Sequence, residues 1–155
     1  MATRKNSLSY LALGDSYTVG TGVTRLKSWP LQLVMLLRRE GVPISDPIVL
    51  AKNGWTTADL EAELDRTNLD SPFDFVTLMI GVNDQYDGVR LEVYARNFQT
   101  LLNRAVTLAG KKPKQVIVLS VPDWSVTPFS KGRDRGQIAN QIEQFNAINL
   151  RETHH

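Results

Sequence analysis

Three short polar turns in the sequence carry the residue types that acyl transfer requires. Ser16 offers a hydroxyl nucleophile, Gly54 exposes its backbone N–H because it has no Cβ, and Asn83 offers a neutral amide donor. Two such donors, together with the N–H of the serine itself, would form an oxyanion hole. Each residue also fits an ordinary turn, so the hypothesis depends on whether the fold brings the three together.

Each polar turn follows a short apolar run that predicts a strand. These strands are expected at residues 8–13, 47–52 and 73–80, with a fourth at residues 115–120. Amphipathic helices are expected between and after them, at residues 28–40, 58–66, 91–108 and 138–152. The alternation predicts a three-layer α/β/α domain of the flavodoxin-like type, with a mainly parallel sheet. The carboxyl ends of parallel strands share one edge of a sheet, where the three turns would meet.

Local signals mark the ends of several of these elements. Ser28 precedes Trp29 and Pro30 and is a typical N-cap residue. Thr56 and Asp59 have the spacing of a capping box, with Asp in place of Glu. The near-continuous apolar run at residues 73–80 indicates a central strand that is buried on both faces. The polar run at residues 130–136 is expected to be a loop.

The composition excludes several classes of protein. The chain of 155 residues predicts a single domain spanning residues 1–155, and the formal net charge of +2 is too small to indicate a nucleic-acid partner. The absence of cysteine excludes disulfides, thiolate metal sites and a cysteine nucleophile. No apolar run is long enough to span a membrane. We therefore expect a soluble, cytoplasmic protein with no metal and no cofactor.

The three turns resemble the first sequence blocks of the SGNH, or GDSL-type, hydrolases: Gly14-Asp15-Ser16-Tyr17, then Gly54, then Gly81-Val82-Asn83-Asp84. Residues 21–23 and 29–30 resemble segments between the first two blocks, and residues 121–124 with 127–128 resemble the loop after strand four in bacterial members. The resemblance implies a hydrolase of small-molecule esters in which Ser16 forms an acyl-enzyme. The N–H groups of Ser16 and Gly54 and the side chain of Asn83 would bind the oxyanion.

Four further residues of the same motifs are expected to support the site. They are Gly14, Asp15, Gly81 and Asp84. We interpret the two aspartates as stabilising their turns rather than as partners of a catalytic base. Trp55, Trp124 and Phe129 either line an acyl or sugar pocket or serve in packing.

The general base of the resembled family does not appear in this sequence. The family supplies it from an Asp-x-x-His block after a fifth strand, and no catalytic Asp or His is identified here. The only histidines are His154 and His155, which are native or belong to a tag. Neither has an Asp three residues before it, although Glu152 precedes His155 at that spacing. We expect a C-terminally shortened domain that lacks the fifth strand and last helix, with impaired activity.

A missing fifth strand has a structural consequence. The fourth strand would become an exposed edge of the sheet, and apolar surface beside it would need cover. The cover would come from a second copy in a homo-oligomer, from a rearranged C-terminal helix or from further residues.

Two other functions fit the sequence. The first is a non-catalytic binding module that keeps the ester pocket. The second is a flavodoxin-like binder of phosphate or flavin. For the second, the loop at residues 18–22 is rich in Gly and Thr and would hold a phosphate.

Overall fold

The structure is a computed structural model that describes residues 7–154. Its strands and helices, in chain order, are β1 Tyr10–Gly14, α1 Ser16–Val19, α2 Trp29–Arg39, β2 Ile48–Ala51, α3 Thr57–Arg66, β3 Phe75–Met79, α4 Val82–Tyr86, α5 Leu91–Leu108, β4 Val116–Val118 and α6 Arg135–Thr153. One-turn 3₁₀ helices cover Arg25–Lys27, Pro113–Gln115, Trp124–Val126 and Pro128–Ser130.

The described strands form one parallel sheet in the order β2-β1-β3-β4. β1 lies between β2 and β3, and every one of its residues is buried. Leu13 pairs with Leu50 on one side and with Leu78 on the other, so the carboxyl ends of the three strands lie side by side. This arrangement confirms the predicted α/β class and its parallel sheet.

Helices cover both faces of the sheet, because successive residues of each strand point to opposite sides. On one face, Leu11 and Leu13 of β1 belong to the largest apolar cluster, which also contains residues of α3, α5 and α6. On the other face, Tyr10 and Ala12 pack with Val34 of α2. The three-layer prediction is therefore confirmed.

The capping predictions had different outcomes. The capping box at α3 is confirmed, since the Thr56 N–H donates to Asp59 Oδ2 at 2.9 Å and the Asp59 N–H donates to Thr56 Oγ1 at 3.3 Å. Ser28 does precede α2, but its hydroxyl donates to the carbonyl of Arg25 at 2.8 Å and does not cap the helix. The 3₁₀ turn before Ser28 brings that carbonyl within reach of the hydroxyl.

Several element boundaries differ from the predicted ones. Two predicted turns are short helices, α1 and α4, which are too short to show a helical period. α6 begins three residues before the predicted Ile138 because Asp134 accepts from the Gln137 N–H at 3.0 Å. β4 begins one residue later than predicted because Gln115 belongs to the 3₁₀ turn that Pro113 opens, and it ends two residues earlier than predicted, at Val118.

β4 lies at the edge of the described sheet, as predicted. Its central residue, Ile117, is 50% exposed. α6 packs Phe145 and Ile148 into the cluster that α5 also joins, so this helix covers one face of the sheet. A homo-oligomer at this edge stays a prediction. Within residues 7–154, no helix combines the length and the apolar character needed to cross a membrane.

Candidate active site

Ser16 lies at the carboxyl edge of the sheet as the first residue of α1, directly after β1. Asp15 begins this short helix, and its Oδ1 accepts from the Tyr17 N–H at 3.0 Å. Gly20 ends the helix in the left-handed conformation, with φ of 83°. The Gly20 N–H donates to the carbonyl oxygen of Ser16 at 2.9 Å, so hydrogen bonds fix the backbone around the serine.

Two of the predicted supporting glycines are required by close approach. A Cβ on Gly14 would overlap Thr18 Oγ1 and would lie 2.6 Å from the carbonyl oxygen of Met79 on β3. Gly81 has φ of 131°, and a Cβ there would lie 2.5 Å from Tyr94 Oη. Only glycine tolerates both the backbone conformation and the contact at position 81.

Asn83 and the turn that contains Gly54 are joined by a hydrogen bond. The side-chain Nδ2 of Asn83 donates to the carbonyl oxygen of Trp55 at 2.8 Å. Gly54, one residue earlier, is exposed and has φ of 83°, which favours glycine. The turn after β2 and the helix after β3 therefore meet, although Trp55 and Asn83 lie 28 positions apart.

Ser16 and Asn83 line the same open cleft, of about 610 Å³. The turn after β2 contributes Asn53 to this lining, and Gly54 is its neighbour in the chain rather than a lining residue. The structure thus brings Ser16 and Asn83 into one cavity and places Gly54 at its margin. Further lining residues come from the loop after α1 and from the loop after β4.

Three aromatic rings, called the aromatic wall below, form one side of the cleft: Tyr86, Trp124 and Phe129. The Tyr86 and Trp124 ring centroids are 5.7 Å apart, and those of Trp124 and Phe129 are 5.6 Å apart. Trp124 and Phe129 were two of the predicted pocket candidates, and both line the cleft. The third, Trp55, packs its side chain against the main core instead.

Polar side chains hold the aromatic wall in place. Trp124 Nε1 donates to Gln85 Oε1 at 2.8 Å, and Gln85 Nε2 donates to Gln141 Oε1 on α6 at 2.8 Å. The Arg133 guanidinium lies 4.7 Å from the ring centroid of Tyr86, and its Nη2 donates to Tyr86 Oη at 2.7 Å. Stacking and hydrogen bonding together orient the wall.

Sequence reasoning missed Trp29, Lys27 and Tyr86 as lining residues. Tyr86 had a usable signal, because it follows Asn83 by three positions and residues three apart share one side of a helix. That inference needs α4 to be recognised as a helix. Lys27 ends a 3₁₀ turn and Trp29 begins α2, and their positions in the cleft depend on tertiary packing, for which the sequence offers no periodic signal.

Two buried carboxyl groups lie beneath the site. Asp84 Oδ2 accepts from the Thr57 N–H at 2.9 Å, and Asp84 Oδ1 accepts from Thr57 Oγ1 at 2.5 Å. Asp84 thus connects α4 to α3 rather than stabilising its own turn, whereas Asp15 does cap its turn. Burial raises the pKa of Asp15 to about 6, and the charge of Asp84 adds to this effect. Burial also raises the pKa of Asp84, which the Thr57 donors partly oppose.

No described histidine lines the cleft. His154 is exposed at the C-terminal end of α6, and His155 lies outside the described residues. The part of the chain from residue 7 to residue 154 also contains no group of three or more acidic or histidine side chains placed to hold a metal ion. The cleft therefore presents a hydroxyl and amide donors, without a described imidazole beside them.

The sequence and the fold define a class of acyl hydrolases. The chain belongs to the GDSL-like lipase/acylhydrolase family, whose model matches residues 12–153. No curated protein sequence matches the chain significantly. The family membership confirms the hydrolase class that the three polar turns predicted, and it favours that class over a binder of phosphate or flavin.

Solved structures of esterases share this fold. AlinE4, an SGNH-hydrolase family esterase, superposes with a TM-score of 0.75 at 19% identity, over 98% of this chain and 74% of that one. The psychrotrophic esterase EstA from Pseudoalteromonas sp., inhibited by monoethylphosphonate, gives 0.69 at 15% identity, over 96% and 73%. Axe2, an acetylxylan esterase from Geobacillus stearothermophilus, gives 0.66 at 20% identity, over 96% and 75%.

Proposed function

We propose that the protein hydrolyses small carboxylic esters through an acyl-enzyme on Ser16. The oxyanion of the tetrahedral intermediate is bound by the backbone N–H groups of Ser16 and Gly54 and by the side-chain amide of Asn83. Acylation forms the bond from Ser16 Oγ to the acyl carbon and releases the alcohol with the serine proton. Water then attacks the acyl-enzyme, which releases the carboxylic acid and restores the Ser16 hydroxyl.

The observation that carries this proposal is the position of Ser16 and Asn83, which line the same cleft. The bond from Asn83 to the Trp55 carbonyl takes one N–H of the amide. A primary amide has a second N–H, which is available to a ligand. Preorganised donors of this kind are the largest single source of rate in many acyl transfers.

The weak part of the machinery is proton transfer from the serine. A serine hydroxyl is a poor nucleophile at neutral pH without an adjacent base. His154 is exposed and outside the cleft lining. We therefore propose that this chain turns over slowly on its own and that a soluble base accelerates it.

The test of the nucleophile is covalent labelling with 4-nitrophenyl acetate. We expect one acetyl group on the peptide that contains Ser16, found by mass spectrometry, and none there in Ser16→Ala. Ser120→Ala is the matched control, because Ser120 is exposed and also follows a strand. Equal labelling of the wild type and Ser16→Ala would show that another residue is acylated.

The test of the missing base is chemical rescue. With the Ser16→Ala rate subtracted, added imidazole should increase nitrophenolate release by the wild type. The double variant His154→Ala, His155→Ala should behave as the wild type does. Without imidazole, a wild-type turnover rate of about 10 s⁻¹, which is typical of enzymes, would contradict the proposed lack of a base.

A non-catalytic binding module is the second candidate. The same absence of a described imidazole at the cleft favours it. It predicts that calorimetry detects ester binding while neither acetylation nor rescue occurs.

A further inference from the structure

A second cavity, of about 560 Å³, adjoins the cleft that contains Ser16. The two cavities share four lining residues of the segment after α1: Gly20, Thr21, Val23 and Ser28. The second cavity also contacts Pro47, directly before β2, and Val49 and Ala51 of β2. The two adjoining cavities are together called the groove below.

The strand order gives the direction of the groove. β2 and β4 are the two edges of the described sheet, and β1 and β3 lie between them. The aromatic wall includes Trp124 and Phe129, which follow β4, whereas the second cavity lies against β2. Ser16 follows β1 and Asn83 follows β3. The groove therefore runs from the loop after β4, past Ser16 and Asn83, to the side of β2.

The β4 end of the groove suits an apolar group. The aromatic wall offers three large rings there. The charged side chain at this wall is Arg133, whose guanidinium stacks on the Tyr86 ring and donates to Tyr86 Oη. It is therefore engaged by the wall itself.

Two cations lie at the β2 end. Lys27 lines the cleft and Arg25 lines the second cavity, two positions apart in one 3₁₀ turn. Among residues 7–154, no Asp or Glu lines either cavity. The ion pairs found in the described part of the chain involve four other arginines: Arg38, Arg66, Arg104 and Arg151. Arg25 and Lys27 thus face the groove without a carboxylate within ion-pair distance.

We propose that the groove binds an amphiphilic ester that has an apolar part on the aromatic wall and an anionic group, carboxylate or phosphate, at Arg25 and Lys27. The ester bond then lies at Ser16, between the two ends. The position of the ester bond rests on the proposed function, whereas the binding of an anionic amphiphile does not. Opposite charge at one end and apolar surface at the other also fix the direction in which the substrate enters.

The binding test uses the Ser16→Ala variant, so no turnover is needed. Calorimetry at low salt compares hexyl phosphate and hexanoate with neutral hexanol, which has the same chain. We expect at least one anion to bind about tenfold more tightly than hexanol, and we expect this preference to shrink at high salt because exposed charges are screened. The relative affinities of hexyl phosphate and hexanoate show whether the site prefers a phosphate or a carboxylate group.

Matched variants separate the two ends of the groove. Lys27→Gln should weaken anion binding by up to about fivefold, the upper end for an exposed ion pair, while hexanol binding changes less. Phe129→Ala should weaken binding of the anion and of hexanol equally, and the fold should tolerate it because Phe129 is 67% exposed. Lys114→Gln is the control, since Lys114 is an exposed lysine that precedes β4, at the other end of the strand.

The outcomes are distinct. Equal affinity for the anions and hexanol, failure of all three to bind, or loss of anion binding in Lys114→Gln as large as in Lys27→Gln would each overturn the proposal. A clear anion preference without any acylation of Ser16 would support the groove and contradict the proposed function. Acylation of Ser16 with no anion preference would support the proposed function and contradict the anionic end of the groove.

Discussion

The side-chain Nδ2 of Asn83 lies 2.8 Å from the carbonyl oxygen of Trp55 and donates a hydrogen bond to it. This bond fixes the rotation of the amide, because the acceptor belongs to the backbone of a turn and not to a mobile side chain. A donor that is already oriented needs no reorganisation when charge develops on a substrate oxygen. The contact therefore couples the position of the Gly54 turn to the orientation of the amide.

Asn83→Ala should slow acetylation of Ser16 by about 10²- to 10³-fold, the usual loss when one oxyanion donor is removed. Mass spectrometry of the Ser16 peptide over time measures this rate. Asn103→Ala, on an exposed position of α5, should leave the rate unchanged. An unchanged rate in a folded Asn83→Ala protein would remove Asn83 from the proposed oxyanion hole.

Thr57→Val should lower the free energy of unfolding by about 1–3 kcal/mol, because the buried Asp84 loses its hydroxyl donor while valine keeps the shape. Asn97 Nδ2 also donates to Thr57 Oγ1, at 3.2 Å, and would lose that acceptor. Urea denaturation measures the change. Thr100→Val, at an exposed position, should cost about 0.5 kcal/mol or less. Similar losses in both variants would show that the Asp84 contact contributes little.

Asp15→Asn should flatten the pH dependence of stability between pH 4 and pH 6. Since burial raises the pKa of Asp15 from 3.8 to about 6, the folded state holds a proton that the unfolded state releases in this window. The free energy of unfolding therefore falls as the pH rises, by about 3 kcal/mol at most for this group. Asparagine keeps an acceptor for the Tyr17 N–H.

Urea denaturation at a series of pH values checks this expectation. A smaller fall should persist in Asp15→Asn, since burial raises the pKa of Asp84 in the same direction. Asn103→Ala, which removes no titratable group from an exposed position, should keep the slope of the wild type. An identical slope in Asp15→Asn would show that Asp15 does not hold a proton in the folded protein.

Gly81→Ala should destabilise the protein much more than Gly88→Ala. Both glycines have positive φ, 131° and 71°, but only at Gly81 would a Cβ meet another side chain, that of Tyr94. Backbone strain alone costs about 1–2 kcal/mol in the left-handed region, which we expect for Gly88→Ala. The contact with Tyr94 adds to this at position 81. Equal denaturation midpoints for the two variants would contradict the difference.

Much of the fold was predictable because its signals are local. The apolar run at residues 73–80 contains β3, and Thr56 with Asp59 marks the start of α3. α1 and α4 were not predicted, since four- and five-residue helices contain about one turn and show no period. Their helical form depends on the glycine conformations and side-chain contacts that surround them.

The candidate site was predictable where it depends on strand ends. Ser16 and Asn83 each follow a buried strand, and parallel topology brings such positions together. The arrangement of the aromatic wall was not predictable, because Arg133 lies in a polar run that resembles an ordinary loop. Its contact with Tyr86 joins residues 47 positions apart, and only the packing of α6 brings them together.

The burial of β1 should make the segment before Ser16 unfold locally less often than the loops around the cleft. All five of its residues are buried between two neighbouring strands, so the peptide segment that leads to Ser16 should exchange its amide hydrogens among the slowest in the chain. The loop of the aromatic wall, with Val126 at 78% and Phe129 at 67% exposure, should exchange among the fastest. The strand that leads to Ser16 and the loop of the aromatic wall would then open as different cooperative units. Substitutions in that loop should leave the stability of the strand before Ser16 unchanged.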